Sequence, residues 1–258
     1  MRMPALSIAM LGGFAVARDD RAIPPAAWRL RKGADLVKLL ALAPGHRLHR
    51  EQVMDALWPG KDPAAASNNL YQALHAARNA LGRQGSAGWL DLRDGVLSLD
   101  PGRGLRIDVE AFEAAAGRAL GGQPEVFPEA LALYRGELLP DDRYEEWSVE
   151  RRDALAATHR RVLAEWVTVL DAQGRVDEAL TVARELLADD PADEAATRVL
   201  MRLEARRGNL SGAVRAFDAV LARLRADLDV EPSSTTLELH RSIILQLSSL
   251  PARPATRG

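Results

Sequence analysis

The chain has no cysteine and no long apolar run. Without cysteine it can form neither a disulfide nor a thiolate metal site, and this absence fits a reducing cytoplasm. No stretch approaches the roughly 20 consecutive apolar residues of a membrane-spanning helix. The apolar residues Ala5–Leu11 follow Arg2, but this run is short and ends in Gly-Gly where a signal peptide has a cleavage site. We therefore expect a cytoplasmic protein without membrane contact.

The motifs of common enzyme classes are also absent. A P-loop needs glycine where Asp55 stands, and Asp62 follows Gly60-Lys61 where a P-loop has Ser or Thr. No Gly-x-Ser-x-Gly nucleophile elbow occurs. The histidines have no carboxylate companion at metal-ligand spacing on one helix. The sequence therefore predicts a protein that is not an enzyme and that carries no metal or other cofactor.

The charges are unevenly distributed along the chain. Residues 1–105 contain 14 Lys or Arg against 9 Asp or Glu, a net charge of +5. Residues 106–258 contain the other 20 against 27, a net charge of −7. Such asymmetry indicates a basic binding module joined to a different module. We expect one domain at residues 1–105, a second at 106–250 and a disordered tail at 251–258, with the junction at Pro101-Gly102-Arg103-Gly104.

Three helical patterns and a hairpin follow one another in the basic half. The helical patterns cover Leu36–Leu42, Arg50–Leu57 and the segment between the N-cap Asp62 and the terminating Gly82. Alternating apolar residues flank an Asp94-Gly95 turn, which is typical of a hairpin. Short strands are expected ahead of the helices, at Leu6–Leu11 and Phe14–Val16. This order predicts a winged helix, in which the third helix enters a DNA groove and the hairpin forms the wing.

The third helix has two chemically different faces. Its apolar stripe consists of Leu70, Leu74, Ala77 and Leu81. Its opposite face carries uncharged hydrogen-bonding side chains, namely Asn68, Gln72, His75 and Asn79. Amide side chains pair with the adenine edge in the major groove, so we expect these four residues to contact bases. An ordinary polar surface helix would show the same pattern, so that alternative remains open.

Further polar side chains predict a phosphate-contacting surface around the third helix, which is the recognition helix of the predicted winged helix. Three cations precede the first helix, two residues lie at the start of the second helix, three flank the base-contacting face, and one lies on the wing. In chain order these residues are Arg29, Arg31, Lys32, His49, Arg50, Asn69, Tyr71, Arg78 and Arg93. Taken singly, each is better explained as a solvated surface side chain, and only together do they outline a phosphate-contacting surface. Arg93 is expected to reach the neighbouring minor groove.

The acidic half carries an internal repeat of 34 residues. Matching positions are Gly174 and Gly208, Ala179 and Ala213, Ala183 and Phe217, and Leu187 and Leu221. Glycine at the turn and small residues at the helix crossings are features of tetratricopeptide repeats, whose helical hairpins must stack to bury their apolar faces. We expect an all-α domain with Trp147 and Trp166 in its core. The whole chain is therefore mainly α, with a winged helix followed by a tetratricopeptide-like domain.

Several motifs resemble those of the Streptomyces antibiotic regulatory protein family. In the first half they are Arg31-Lys32, Leu36 to Pro44, Arg50-Glu51, Leu57-Trp58-Pro59, Asp62-Pro63, Asn68-Asn69-Leu70, Gln72-Ala73-Leu74-His75 and Ala80-Leu81-Gly82. Asp108-Val109-Glu110-Ala111-Phe112 and Val230-Glu231-Pro232 resemble the bacterial transcriptional activation domain of that family. The resemblance implies promoter binding, often as a pair on direct repeats, and recruitment of the RNA polymerase holoenzyme. A homodimer is consistent with it.

The chain also departs from the family pattern. Relatives are expected to carry more arginine along the recognition helix, where Arg78 is the one charged residue here. His49 stands where a Ser or Thr N-cap is expected, which would weaken the second helix by about 1 kcal/mol.

The predicted function is a sequence-specific DNA-binding regulator that activates transcription. The alternative is a tetratricopeptide-type interaction adaptor whose winged helix no longer binds DNA usefully. The same pair of domains also begins larger regulators with an NTPase module, so the resemblance leaves the full length open.

Overall fold

A computed structural model describes residues 6–82, 88–99 and 104–249. These residues pack into two compact units. The first comprises the described residues up to Gly121 together with Pro128–His159, and the second comprises Gly122–Phe127 and the described residues from Arg160 onward. This division by packing does not test the functional boundary at residue 105, which stays a prediction. The predicted tail lies outside the described residues.

The elements of the described ranges are as follows. The strands are β1 (Leu6–Ala9), β2 (Ala15–Arg18), β3 (Arg21–Ala22), β4 (Arg47–His49), β5 (Leu90–Arg93), β6 (Val96–Leu99) and β7 (Leu105–Ile107). The helices are α1 (Arg31–Leu42), α2 (Arg50–Leu57), α3 (Pro63–Leu81), α4 (Asp108–Leu120), α5 (Phe127–Leu133), α6 (Glu146–Ala172), α7 (Val176–Asp189), α8 (Glu194–Arg206), α9 (Leu210–Arg223) and α10 (Ser234–Ser248). A π-helical segment, Leu224–Leu228, follows α9.

An N-terminal sheet opens the first unit, with strand order β3-β2-β1-β7. The pairing of β1 is antiparallel with β2 and parallel with β7. Ile8, Val16 and Ile107 point to the buried side of this sheet. Gly12, after β1, has φ of +84°, and a Cβ there would lie 2.9 Å from the carbonyl oxygen of Arg135. The strands predicted around Gly12-Gly13 are confirmed, whereas β7 was not predicted because its three residues are too short to show a pattern.

A winged helix follows, made of α1, α2, α3 and a three-stranded sheet of order β4-β6-β5. The predicted apolar stripe of α3 is buried against the rest of this module. Asp62 caps α3, because its carboxylate accepts hydrogen bonds of 3.1 Å from the backbone N–H groups of Ala64 and Ala65. Gly82 ends it with φ of +79°. The two-residue turn Asp94-Gly95 joins β5 to β6, so the predicted wing is confirmed.

The carboxylate of Asp108 ties the N-terminal strand to α4. Its oxygens accept hydrogen bonds from the backbone N–H groups of Met10 (2.8 Å), Leu11 (2.9 Å) and Val109 (2.9 Å). Three donors at the end of β1 and the start of α4 are satisfied by one side chain. Asp108 therefore links residues separated by almost 100 positions in the sequence.

A buried ion cluster ties α1 to the segment before α6. Lys38 is 5% exposed, and its Nζ lies 2.6 Å from Oδ2 of Asp142 and 3.3 Å from Oδ1 of Asp35. Arg152 donates hydrogen bonds to the carbonyl oxygens of Leu138 (3.0 Å) and Asp142 (3.2 Å). Buried charges remain stable only when they are paired and hydrogen-bonded. Local sequence patterns did not predict this ion cluster.

The second unit reproduces the 34-residue repeat in its hydrogen bonds. Gly174 donates its backbone N–H to Asp171 (3.0 Å), and Gly208 donates to Ala205 (2.9 Å). The next residues repeat the match, since Arg175 donates to Leu170 and Asn209 donates to Glu204. Both glycines have positive φ. The predicted tetratricopeptide-like fold is confirmed, and with it the mainly α fold class.

The two tryptophans predicted in the core differ in their burial. In the second unit, Trp166 is buried and stacks on Phe127 with ring centroids 5.1 Å apart. In the first unit, Trp147 is only half-buried, and its indole N–H donates to Glu145 over 3.2 Å. The core prediction is therefore wrong for Trp147. The polar end of an indole favours such a partly wet position.

The described helices contain none with the length and apolarity needed to cross a bilayer.

Replacing Lys38 with Met tests the energetic role of the ion cluster. The change removes the ammonium between the buried carboxylates of Asp35 and Asp142 and leaves them only Lys32 and Arg31 as cationic neighbours, so we expect the free energy of unfolding to fall by up to about 3–5 kcal/mol. Urea denaturation of the full chain measures this loss. Lys61→Met is the matched control, because Lys61 is exposed and has no ion pair among the described residues. Similar unfolding free energies for the two variants would contradict the assigned role.

Candidate nucleic-acid interface

The four predicted base-contacting residues lie together on the exposed face of α3. Asn68, Gln72, His75 and Asn79 are all exposed, whereas Leu70, Leu74, Ala77 and Leu81 of the opposite stripe are buried. The alternation arises because residues three and four apart share one side of a helix. The structure therefore brings the four side chains onto one accessible surface.

Hydrogen bonding divides this polar face into a free part and a paired part. Asn68 and Gln72 have no hydrogen-bond partner within the described ranges. By contrast, Nδ2 of Asn79 lies 3.0 Å from Nε2 of His75, one helical turn away. When Nε2 carries no proton it accepts from the amide, which leaves the amide oxygen of Asn79 outward and accepting. The face thus presents the side-chain amides of Asn68 and Gln72, which have no partner in the described ranges, followed by the hydrogen-bonded pair of His75 and Asn79.

The residues that flank this face have separate surroundings. The ring of Tyr71 is 52% exposed, and Asn69 is half-buried. Arg78 is turned partly toward the wing, because its Nε donates to the carbonyl oxygen of Leu90 over 3.2 Å. Tyr71 is therefore accessible to a ligand of the helix face, whereas part of the guanidinium of Arg78 is engaged within the protein.

The start of α2 is satisfied internally. The backbone N–H of His49 donates to Oε1 of Gln52 (2.9 Å), and that of Arg50 donates to the carbonyl oxygen of Gly95 in the wing turn (2.7 Å). Gln52 thus supplies a side-chain acceptor at this end of the helix. The weakening expected from His49 at the N-cap is offset, and few of these backbone donors remain for a phosphate.

An acidic residue also stands at this helix start. The carboxylate of Glu51 contacts the imidazole of His49 and lies 3.4 Å from Nε of Arg50. Desolvation raises the pKa of Glu51, but a backbone hydrogen bond and the contacts with His49 and Arg50 lower it by more, so that the pKa of Glu51 lies below its ordinary value. Glu51 is therefore ionised at neutral pH and weakens the attraction of these cations for phosphate.

Two of the three cations predicted before the first helix are paired with carboxylates. Arg31 lies 3.2 Å from Asp142 and 3.4 Å from Glu145, and Nζ of Lys32 lies 3.4 Å from Glu145. Arg29 is exposed, with no ion pair among the residues described. The sequence could not show the pairs with Asp142 and Glu145, because these carboxylates lie more than 100 residues further along the chain, whereas Nζ of Lys32 also lies 3.3 Å from Asp35, three residues away.

The outer face of the wing sheet carries a cation that the sequence analysis missed. In the sheet register, Arg47 and Asp91 lie on either side of Ser98, and His49 and Arg93 lie on either side of Val96. Alternation along each strand places these residues on the outer face, opposite Leu48 and Leu97. The polar-apolar-polar order of Arg47-Leu48-His49, just after Pro44-Gly45, is the sequence signal of strand β4, but three residues are too few to predict a strand from it.

The exposed wing cations differ in their pairing. Arg93 is 78% exposed, and its Nε lies 2.8 Å from Oδ2 of Asp91. Arg47 is exposed and has no ion pair in the part of the chain that the structure describes. An uncharged hydrogen-bonding helix face beside a moderately basic wing suits recognition of base edges with few phosphate contacts. In the described ranges, no group of three or more His, Asp or Glu side chains is placed to hold a metal ion.

Two comparisons with known proteins agree with this architecture. The family model of the bacterial transcriptional activator domain matches residues 99–244. A solved structure of Mycobacterium tuberculosis EmbR, in complex with a low affinity phosphopeptide, is similar with a TM-score of 0.73 and 20% sequence identity. The alignment covers 94% of this chain and 66% of that chain, so the present chain spans about two thirds of its length. At this identity the likeness concerns the fold. No curated protein matches the chain.

Proposed function

Because this chain belongs to the bacterial transcriptional activator domain family and is a transcriptional regulator of the Streptomyces antibiotic regulatory protein type, we propose that it binds specific double-stranded DNA and activates transcription. The family resemblance predicted from the sequence is thereby confirmed. The observation that carries the proposal is the exposed, uncharged face of α3, where Asn68 and Gln72 have no partner in the described ranges. A solvated helix face would ordinarily be covered by charged residues.

In the proposed complex α3 lies in the major groove. Asn68, Gln72, His75 and Asn79 face base edges, and Tyr71 and Asn69 flank them. Arg93, at 78% exposure on the wing, reaches the adjacent minor groove. Arg29 and Arg47 supply the main phosphate contacts, with smaller contributions from His49 and from the paired Arg31, Lys32 and Arg50. Arg31 and Lys32 contribute less to phosphate binding because their carboxylate partners already neutralise much of their charge.

The helical second half supplies the protein contacts of the proposed activator. Its net charge of −7 over residues 106–258 disfavours phosphate binding, so its partners are proteins. We propose that it recruits the RNA polymerase holoenzyme in the cytoplasm, and that two copies of the chain bind together on direct repeats. Stacked helical hairpins present the extended surfaces that such contacts use.

A specific observation also favours the adaptor alternative. Of the predicted phosphate-contacting cations, Arg31, Lys32, Arg50 and Arg93 each lie within salt-bridge distance of a carboxylate. Each such pairing reduces the number of counterions that DNA binding can release and therefore the non-specific affinity. An adaptor whose winged helix serves in docking would need none of these contacts. The salt dependence of DNA binding separates the two functions.

We expect the full chain to bind duplex DNA with a logarithmic salt slope of about −3 to −4. Each neutralised phosphate contributes about −0.9, and we expect three to four neutralised phosphates from the unpaired Arg29 and Arg47 together with partial contributions of the paired cations. Arg47→Gln should reduce the slope by about 0.9, whereas Arg31→Gln, its matched control, should change it little because Arg31 is already paired. Fluorescence anisotropy at several salt concentrations measures the slope. No binding at low salt would rule out DNA recognition and favour the adaptor.

Replacing Gln72 with Ala tests base recognition separately from phosphate contact. At the preferred site, identified by selection from a random duplex library, we expect a loss of about 1–3 kcal/mol, with little loss on random DNA. Arg47→Gln should weaken specific and random duplexes to the same extent. Equal effects of Gln72→Ala on both kinds of DNA would contradict the assignment of this face to base edges.

A competition assay tests the protein-binding role of the second half. Residues 106–249, the predicted second domain, expressed separately and shown to be helical by circular dichroism, should inhibit activated transcription in a reconstituted reaction by occupying the polymerase. Promoter occupancy by the full chain and basal transcription should stay unchanged, because the fragment lacks α3. The same fragment destabilised by Phe217→Asp in its buried core is the control. Equal activation with and without the intact fragment would contradict recruitment through this surface.

A further inference from the structure

We propose that Arg78 is a positioning residue that fixes the wing at a set angle to the recognition helix, so that Arg93 is placed before DNA is bound. From the sequence, Arg78, the one charged residue along α3, is predicted to flank the bases or contact phosphate. The inference rests on the proposed function for its consequence in DNA binding. Its structural part concerns the free protein alone.

The side chain of Arg78 joins the recognition helix α3 to the foot of the wing, which is the start of the wing strand β5. Its Nε donates to the carbonyl oxygen of Leu90 over 3.2 Å. Leu90 is the first residue of β5 and is 2% exposed, so this end of the strand is anchored in the core. The sheet order β4-β6-β5 makes β5 an edge strand, with one side of its backbone lacking a strand partner. Arg78 adds a side-chain hydrogen bond to this strand.

A second hydrogen bond holds the other end of the wing. The backbone N–H of Arg50, at the start of α2, donates to the carbonyl oxygen of Gly95 over 2.7 Å. Gly95 lies in the turn with φ of +79°, a conformation that suits glycine. Arg93 stands between these two attachment points, three residues after Leu90 and two before Gly95. The wing is therefore attached to α3 at its foot and to α2 at its turn, and both attachments set the place of Arg93.

The rival role for Arg78 is a simple phosphate contact, which depends on its charge. The positioning role depends instead on an N–H donor at the place of Nε. Two variants distinguish the charge of Arg78 from its N–H donor. Arg78→Gln loses the charge, but its amide nitrogen is as many bonds from Cα as Nε is, so it can still donate to Leu90. Arg78→Met has a similar length and supplies neither donor nor charge.

Hydrogen exchange of the free, full-length protein tests the structural part. In Arg78→Met we expect the amides of β5 and β6 to exchange about 2- to 12-fold faster, which corresponds to the loss of one hydrogen bond. In Arg78→Gln they should exchange at the wild-type rate. The amides of α7 to α9, in the other unit, serve as the internal reference. Unchanged wing exchange in Arg78→Met, or equally fast exchange in both variants, would overturn the proposal.

A double-mutant cycle with Arg93→Ala tests the consequence for DNA binding. In the wild-type and Arg78→Gln backgrounds, Arg93→Ala should weaken binding to the preferred duplex. In the Arg78→Met background it should change affinity by less than about twofold, because Arg93 is already displaced. Additive losses in all backgrounds would make Arg78 an independent contact and refute positioning. If the wild-type chain binds no duplex, the proposed function fails, and the exchange measurement alone still decides whether Arg78 fixes the wing.

Discussion

The ion pair between Lys38 and Asp142 is the contact on which the first unit depends. Both side chains are almost fully buried, and their charged atoms lie 2.6 Å apart. Removing either partner leaves the other with weaker compensation in the core, Lys38 with Asp35 alone and Asp142 with the exposed Arg31, at a cost of up to several kcal/mol. The pair therefore requires α1 and the segment before α6 to pack in one unit, although 104 residues separate them. The same carboxylate also holds Arg31, so this packing requirement removes a cation from the surface available to DNA.

The loss of free cations changes the balance between affinity and specificity. Non-specific DNA binding depends on released counterions, so pairing Arg31 and Lys32 with acidic residues lowers it for every sequence. The amides of Asn68 and Gln72 are untouched by this pairing, and in the proposed complex their hydrogen bonds with base edges would differ between sequences. A regulator of this kind would discriminate well while binding weakly. Two copies on adjacent repeats would then restore affinity, because the second binding event becomes effectively intramolecular.

Local patterns were sufficient to predict α3, the wing turn and the helical repeat. Asp62, Gly82 and Asp94-Gly95 act on their own neighbours, and the apolar stripe of α3 follows directly from helical spacing. The two exposed amides could be found for the same reason. The strands β4 and β7 escaped prediction because three residues give no reliable period. The pairing of Arg31, the contact of Arg78 with Leu90 and the half-buried place of Trp147 depend on residues that only the folded chain brings together.

The predicted boundary at residue 105 stays a prediction, but the contacts across it affect how the basic half can be studied. A fragment of residues 1–105 lacks Asp108, so the backbone N–H groups of Met10 and Leu11 lose their acceptor. It also lacks Asp142, so Lys38 keeps only Asp35 as a buried counter-charge. Parallel pairing of β1 with β7 would be lost beyond Leu105 as well. Since each unmet buried group costs about 1–3 kcal/mol, weak DNA binding by that fragment would report an incomplete fold as readily as a missing recognition surface. The full chain is the form in which the exposed face of α3 is correctly supported.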